Sequence, residues 1–415
     1  MELTEKLYQK DVFLQACESR VLAAADGCLV LDRTVFFPEG GGQSCDTGTI
    51  ENGKVLHVFE KDGVVFHQME DGAGLPEEGA AVHCRIHWER RFLNMQRHCG
   101  EHILSAAFYE LYGGVNRGFH MGADYMTVDI SLEEDPAFEK MTDEMVAAAE
   151  LRTNELIWQD LPVITEFFAD GEEAAAHPMR KKLSIEKDIT IVSLGSPDWA
   201  PGAVACCGTH PRTTGQVGLV KIYRWENYKG MARIYFDAGS QAFLHFRAEE
   251  ELTRSLCKRY SAEPHQLMEK ISIQDAKNQE IRQQLYELKK EYLAERAEEM
   301  AAACETEPGT LVRHYPHLKP DDLLALGKLL QGESLRDRVF SPPAAGKAGR
   351  LAALVAPAEK TVILLSGGAP DCGKIIKDNA PVWNGKGGGR PDSARALFSS
   401  DQDLACFLDF LQKAY

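Results

Sequence analysis

Gln96-Arg97-His98-Cys99-Gly100-Glu101-His102-Ile103-Leu104-Ser105 places two imidazoles four residues apart in a segment with helical spacing. On a helix, residues i and i+4 stack on one face with Cβ atoms about 5–6 Å apart, so two ring nitrogens can share one metal ion. Phe92, Met95, His98, Cys99, His102, Ile103, Ala106 and Leu111 keep the helical period, and Gly113-Gly114 closes it. Far downstream, Val204-Ala205-Cys206-Cys207-Gly208-Thr209-His210 repeats the four-residue step with a thiol and an imidazole. Together His98, His102, Cys206 and His210 supply a full tetrahedral donor set for Zn2+. Cys207 competes with Cys206 for the ligand role, and the matching step favours Cys206. The ordinary alternative for Cys207 is a small buried hydrophobe.

Composition bounds the rest. A chain of 415 residues has room for roughly two to four domains with proper cores. Its 44% hydrophobic and 26% charged content is that of a soluble globular protein. No apolar run approaches the roughly 20 residues of a membrane-spanning helix. Met1-Glu2-Leu3-Thr4-Glu5-Lys6 lacks the basic start and apolar core of a secretory signal, so a cytoplasmic location with no membrane partner is expected. Eleven cysteines, an odd number spread along the chain, argue for free thiols over a disulfide framework. The net charge of −17 speaks against non-specific coating of nucleic acid but is compatible with a local basic groove.

The first stretch, to about residue 88, reads as β-rich. Gly27-Cys28-Leu29-Val30-Leu31-Asp32 and Gly63-Val64-Val65-Phe66-His67 are short apolar runs between turn residues. Between them, Phe37-Pro38-Glu39-Gly40-Gly41-Gly42-Gln43 excludes a regular helix. It reads either as a loop lining a site shared with the next domain or as a wide surface turn. Beyond the histidine helix, Asn116 to Gly122 reads as a turn and Tyr125 to Ile130 as a strand. A second helix is expected over about 136–157, opened by Glu133, Glu134 and Asp135. After Ile189-Thr190-Ile191-Val192 and the Cys206–His210 loop, two strands are expected at about 217–224 and 231–237, joined by a turn at Asn227-Tyr228-Lys229-Gly230.

From about 244 to 303 the chain is charged, without glycine, and has one proline, at 264. Ile281, Leu285, Leu288 and Tyr292 follow the spacing of a coiled-coil seam for about two heptads, which supports a helical hairpin or spacer arm. The final block reads as α/β, with strands at 351–355 and 361–365 and a helix over 404–411 after Ser400 and Asp401. Asn384-Gly385-Lys386-Gly387-Gly388-Gly389-Arg390 followed by a helix-prone Ser393 to Leu397 suggests either a phosphate cradle at a helix start or an ordinary glycine-rich turn.

Glu101 sits between the helical ligands and is a general-base candidate or a solvated helix-surface carboxylate. His98-x-x-Glu101-His102 also matches the inverzincin pattern of some zinc peptidases, which take a downstream acidic ligand and need no Cys-x-x-x-His. A zinc held by four protein ligands is usually structural, so a tRNA-binding protein with a structural zinc is a third reading.

Asp32-Arg33-Thr34 through Phe37–Gln43 and Asp46-Thr47-Gly48, the H-x-x-x-H helix and C-x-G-T-H together resemble the editing region of alanyl-tRNA synthetase. With no aminoacylation domain ahead of it, this arrangement is similar to the free-standing alanyl-tRNA editing family, in the long form with a C-terminal domain. The resemblance is strong over about 30–240. Gly387-Gly388-Gly389-Arg390-Pro391-Asp392 looks like the glycine motif of the DHH-associated domain. Cys207 departs from the usual C-G-G-T-H.

The resemblance implies an α+β chain in four parts: an N-terminal β-barrel (1–88), a zinc-containing α/β editing domain (89–243), a helical or coiled-coil arm (244–303) and a C-terminal α/β DHH-associated domain (304–415). It implies ATP-independent hydrolysis of the ester joining serine, or glycine, to tRNA(Ala). Zn2+ would be held by His98, His102, Cys206 and His210, with Glu101, Gln43 and His120 as catalytic-pocket candidates. Ser105 and Thr127 are candidates for reading the substrate hydroxyl. Lys221, Arg224, Gly387, Gly388, Gly389 and Arg390 are the expected tRNA contacts, with Lys229 and Arg233 extending the basic stretch. A homodimer through the C-terminal region is a further expectation.

Overall fold

The computed structural model describes residues 2–72, 74–132, 140–183, 187–306, 309–341 and 349–415. They form two compact units, one ending at Arg259 and the other starting at Tyr260. The whole is a mixture of sheets and helices, as expected of an α+β chain. Among the described residues, no helix is long and apolar enough to cross a membrane.

The N-terminal unit begins with six strands that close into a ring in the order Ala16–Ala25, Cys28–Leu31, Val64–Met69, Gly53–Lys61, Gly48–Ile50 and Ala81–Ile86. Every pairing around it is antiparallel. Ala81–Ile86 shows why the ring has an inside: exposed and buried residues alternate strictly, with Val82, Cys84 and Ile86 turned inward. These join Val21, Leu29, Leu31, Phe36, Ile50, Val58 and Val65 in one apolar core.

The helix Trp88–Tyr112 leaves the ring directly after Ile86 and carries the first ligand pair. Gly113 adopts a left-handed conformation and donates its N–H to Tyr109 O, which ends the helix where the glycine pair predicts. Two buried ion pairs pin this helix ahead of the histidines. Near its start, Arg91 pairs with Asp46 of the ring's long loop and also donates to Val12 O and Val35 O. In its middle, Arg97 grips Asp237 in a bidentate fork at 2.7 and 2.9 Å. Gly100 permits the close approach, since a Cβ there would lie 2.5 Å from Ala238 Cβ.

Asp237 belongs to a four-stranded antiparallel sheet in the order Val220–Tyr228, Met231–Ala238, Met126–Ser131 and Val115–Met121. Residues 116–121 are therefore strand, not the turn expected from their glycine and asparagine content. Pairing with Met126–Ser131 overrides that local signal. The hairpin between 228 and 231 turns on Lys229 and Gly230, both at positive φ, as a two-residue connection requires. A helix at Asp143–Trp158, capped by Thr142, packs on this sheet through Val146, Ala149 and Leu156. Glu133, Glu134 and Asp135 lie outside the described residues. A smaller antiparallel sheet, Val163–Asp170, Lys187–Leu194 and Val204–Ala205, delivers the second ligand pair at its end. The unit ends at Arg259, within the last turn of the helix Gly239–Tyr260.

The C-terminal unit contains the long helix Leu267–Thr306 and a five-stranded sheet ordered Leu311–His314, Ala352–Ala356, Thr361–Leu365, Ser393–Leu397 and Lys386–Gly389. Ala352–Ala356 and Thr361–Leu365 are buried at every position because helices cover both faces of the sheet. Lys386–Gly389 and Ser393–Leu397 form a hairpin, so the glycine run is an edge strand and not a cradle at a helix start. The burial of Ser393–Leu397 alternates, which is the strand period. A side chain at Gly387 would strike the Arg395 carbonyl, so close strand approach explains that glycine. Ile281, Leu285, Leu288 and Tyr292, the expected seam, are exposed. Leu293, Ala297, Met300 and Ala301, further along the same helix, enter the core.

Candidate metal centre

The four residues singled out by spacing converge. His98, His102, Cys206 and His210 offer donor atoms that all lie within 4.8 Å of one another, and the three histidines are buried. Cys206 Sγ is 3.2 Å from His98 Nε2 and 3.7 Å from His210 Nε2. Metal–nitrogen and metal–sulfur bonds of about 2.0 and 2.3 Å in a tetrahedron give an N···S edge of about 3.5 Å. The observed separations fall on either side of that edge.

Local structure explains how each donor is aimed. His98 and His102 stack with ring centroids 4.9 Å apart, one helical turn from each other. Cys206 follows Val204–Ala205, and its N–H extends the ladder to Thr190 O at 2.9 Å. Gly208 then lets the loop turn beneath His98, whose ring occupies the space a Cβ would need. The Gly208 N–H also points at Cys206 Sγ, 3.4 Å away. Cys207 is exposed on the wall of the cavity beside the donors, so the burial expected of it as a small hydrophobe is not found.

The protonation pattern of His98 is fixed by Gln43. The Thr209 N–H donates to Gln43 Oε1 at 3.0 Å, which identifies that atom as the oxygen, and Gln43 Nε2 donates to Thr209 Oγ1 at 2.8 Å. His98 Nδ1 lies 3.0 Å from the same oxygen and must donate to it. Its Nε2 is then bare and faces the cluster, the state a metal requires. Among the described residues, His102 Nε2 is buried with no hydrogen-bond partner. Such an orphaned ring nitrogen among soft and borderline donors fits a metal position.

Burial sets the electrostatics. It pushes His98 down to about 4 and holds His102 and His210 well below the usual imidazole range, so all three rings are neutral near pH 7. The Cys206 thiol is pushed up to about 12 by the same cause, opposed by the Gly208 N–H. A thiol so placed ionises only when a cation arrives.

Gln43 reaches the cluster because Gly40 and Gln43 exchange two backbone hydrogen bonds around Gly41 and Gly42. Those two glycines have φ of 58° and 79°, the left-handed values of a tight primed turn. A Cβ on Gly42 would sit 2.9 Å from the Phe119 ring, and one on Gly41 2.8 Å from Cys207 Sγ. The glycine run is thus a tight, exposed turn whose Gly41 lines the cavity beside the donors.

A cavity of 370 Å³ opens beside the donors, lined by Gly41, His98, Glu101, Asn116, Phe119 and Cys206, with Arg117, Lys181 and Asp188 also on its wall. Glu101 is buried, not solvated: Oε1 accepts from Ser105 Oγ at 2.5 Å and Asn116 Nδ2 at 2.7 Å. His120 is exposed and does not line this cavity. Strand alternation turns Phe119 toward His98 and its neighbour His120 away. Thr127, paired with His120, is also outside the lining.

The basic stretch is largely neutralised. Lys221 pairs with Glu150, Arg233 with Asp129, and Arg224 with Glu226 while lying over the Tyr235 ring. Lys229 sits over Tyr228. Gly387, Gly388, Gly389 and Arg390 are exposed at the edge of the C-terminal sheet, in the other unit. Sequence reasoning missed Arg180, whose Nη2 lies 3.0 Å from His102 Nδ1. Met179-Arg180-Lys181-Lys182 carries no spacing signal that would have singled it out.

Two family models match. Residues 6–90 fit the class II (A) tRNA synthetases, and residues 189–235 fit the second additional domain of threonyl and alanyl tRNA synthetases. The chain is 34% identical over 250 residues to the alanyl-tRNA editing protein AlaX-L of Pyrococcus horikoshii, covering 58% of this chain and 59% of that protein. It is 29% identical over 401 residues to the alanine–tRNA ligase of Pyrococcus abyssi, covering 94% of this chain and 42% of the ligase. With the alanine–tRNA ligase of Pyrobaculum aerophilum, 29% identity extends over 99% of this chain and 44% of the ligase. The chain thus spans about three-fifths of the editing protein and less than half of the ligases.

Proposed function

We propose, from the premise that this chain is similar to the alanyl-tRNA editing proteins, that it is a trans-acting hydrolase which removes wrongly attached serine, and glycine, from tRNA(Ala). The observation that carries the reading is the buried cluster of His98, His102, Cys206 and His210 opening on a cavity walled by the glycine loop. Zn2+ suits three imidazoles and one thiolate, and when bound it would supply Lewis-acid polarisation or orientation of an aminoacyl ester. The residues of the chain do the rest. Gln43 holds His98 in the bare-Nε2 tautomer, and Gly41, Phe119 and Asn116 bound the space beside the donors. Ser105, buried behind the cavity with its hydroxyl donating to Glu101, would read a substrate hydroxyl only through that carboxylate. Such a pocket acts as a second sieve, because an alanine site rejects an added hydroxyl weakly.

The ring at 1–88, read as a barrel, and the zinc domain at 89–243 would form the editing body. The arm at 244–303 and the DHH-associated domain at 304–415 would engage more of the tRNA, in the cytoplasm. Lys386 and Arg390, exposed on either side of Gly387–Gly389, suit phosphate contacts. Lys221 and Arg224 would reach phosphate only by giving up Glu150 and Glu226. The inverzincin alternative needs an acidic third ligand, whereas the cluster gathers Cys206 and His210.

The test is release of labelled serine from Ser-tRNA(Ala) by the purified full chain, with Ala-tRNA(Ala) and an unstructured peptide as parallel substrates. Serine release with Ala-tRNA(Ala) spared is expected. Peptide cleavage without deacylation would transfer the site to the peptidase reading. Zinc binding with neither activity would leave a structural zinc.

A further inference from the structure

His102 faces a conflict that His98 does not. A metal on Nε2 requires a neutral ring with its proton on Nδ1, which is then a donor. Yet the atom 3.0 Å from Nδ1 is Arg180 Nη2, and a guanidinium nitrogen only donates. Two donors cannot share that contact. The arrangement seen therefore belongs to the opposite tautomer, in which Nδ1 accepts from Arg180 and Nε2 keeps the proton.

An acceptor for the metal-competent tautomer is already in place. Glu101 Oε2 lies 3.7 Å from His102 Nδ1. The carboxylate is oriented by Ser105 and Asn116, which both donate to its other oxygen. Arg180 is itself held by two backbone carbonyl contacts, Nη1 donating to Pro201 O at 3.1 Å and its own N–H to Ala203 O at 3.2 Å. Burial opposes its charge, while the Glu101 carboxylate and Cys206 favour it. A cation so buried needs an anion nearby, and Glu101 is the one that survives when Cys206 is committed elsewhere.

We propose that Glu101 and Arg180 form the outer sphere of the metal centre, and that metal binding exchanges the partner of His102 from Arg180 to Glu101. The Nε2 proton passes to solvent water and a proton from water settles on Nδ1, which donates to Glu101 Oε2. The ring holds one proton throughout. Arg180 then turns Nη2 to the same carboxylate. Glu101 is a positioning residue that acts through His102, not a general base. This rests on the metal reading above, and it gives the buried Glu101 a role that its position between two ligands alone does not define.

The experiment uses the full chain, wild type and the Glu101→Ala and Arg180→Met variants, with Zn2+ affinity measured by competition against a chromophoric chelator. Long-range 1H–15N spectra of the histidine rings read the tautomer with and without Zn2+. Glu101→Ala is expected to weaken Zn2+ binding by about 10- to 100-fold, the usual effect of removing a ligand's outer-sphere acceptor. Arg180→Met, which removes the competing donor, is expected to bind Zn2+ at least as tightly as wild type. Wild-type His102 is expected to change from the Nε2–H to the Nδ1–H form on loading, a response that a purely structural role for Glu101 would not produce. Saturating Zn2+ should restore deacylation to Glu101→Ala. Wild-type affinity in Glu101→Ala, or an Nδ1–H His102 before loading, overturns the exchange while leaving the deacylase reading intact. Failure of the wild-type chain to bind Zn2+ overturns both.

Discussion

Replacing Gln43 with leucine removes a side chain that does two separable things. Its oxygen accepts from the buried Thr209 N–H and from His98 Nδ1, and its amide donates to Thr209 Oγ1. Leucine fills similar volume but leaves the Thr209 N–H without a partner, which costs about 1–3 kcal/mol of folding stability. It also frees His98 to place its proton on either nitrogen. Loss of that outer-sphere acceptor should weaken metal binding by about 10- to 100-fold, or about 1.4–2.8 kcal/mol. Gln43→Glu keeps the acceptor for both donors, and Thr209 Oγ–H can donate in return, so its Zn2+ affinity should match or exceed wild type. Chelator competition at fixed pH reads the first effect, and denaturant unfolding of the metal-free chain reads the second. Wild-type affinity in Gln43→Leu would refute the claim that this loop sets the His98 tautomer, whatever happens to stability.

Arg91→Met should destabilise the N-terminal unit by about 3–5 kcal/mol in denaturant unfolding, because Asp46 is left charged and fully buried. Adding Asp46→Asn should recover part of that loss, and no recovery would mean the ion pair is not the cause. His67 is pushed down to about 4 by burial while donating to Leu29 O and contacting Thr34. The unfolded chain takes up the proton first, so stability is fully present above about pH 6.5 and falls by about 3 kcal/mol as pH drops toward 4. His67→Gln should flatten that slope in denaturant titrations across the window. Zn2+ affinity should rise about tenfold per pH unit between about 6 and 9, because the metal must displace the proton of a thiol pushed up to about 12. A flat profile would exclude Cys206 as a ligand.

The donor set was legible because each pair is local: four residues along a helix, and four along a loop whose glycine admits the His98 ring. The glycine loop was legible as non-helical, and its role followed once Gly41 and Gly42 met Cys207 and Phe119. Arg180 was not legible, since its contact joins residues 78 positions apart through a fold that no local pattern encodes. The 386–397 hairpin was misread for a related reason. Ser393-Ala394-Arg395-Ala396-Leu397 has the composition of a helix, but sheet pairing on both sides imposes the strand period. His120 stands one residue away from the cavity, because alternation along Val115–Met121 gives the lining to Phe119.

On the proposed function, hydrolysis of the mischarged ester would depend on zinc held by His98, His102, Cys206 and His210. The direct measurement is the single-turnover rate of serine release from Ser-tRNA(Ala) by the chain stripped of metal and then reloaded with Zn2+, beside Cys206→Ala treated identically. Loss on stripping, full return on reloading, and no return in Cys206→Ala are expected. An unchanged rate in stripped chain of verified zero zinc content would rule out a zinc-dependent deacylase.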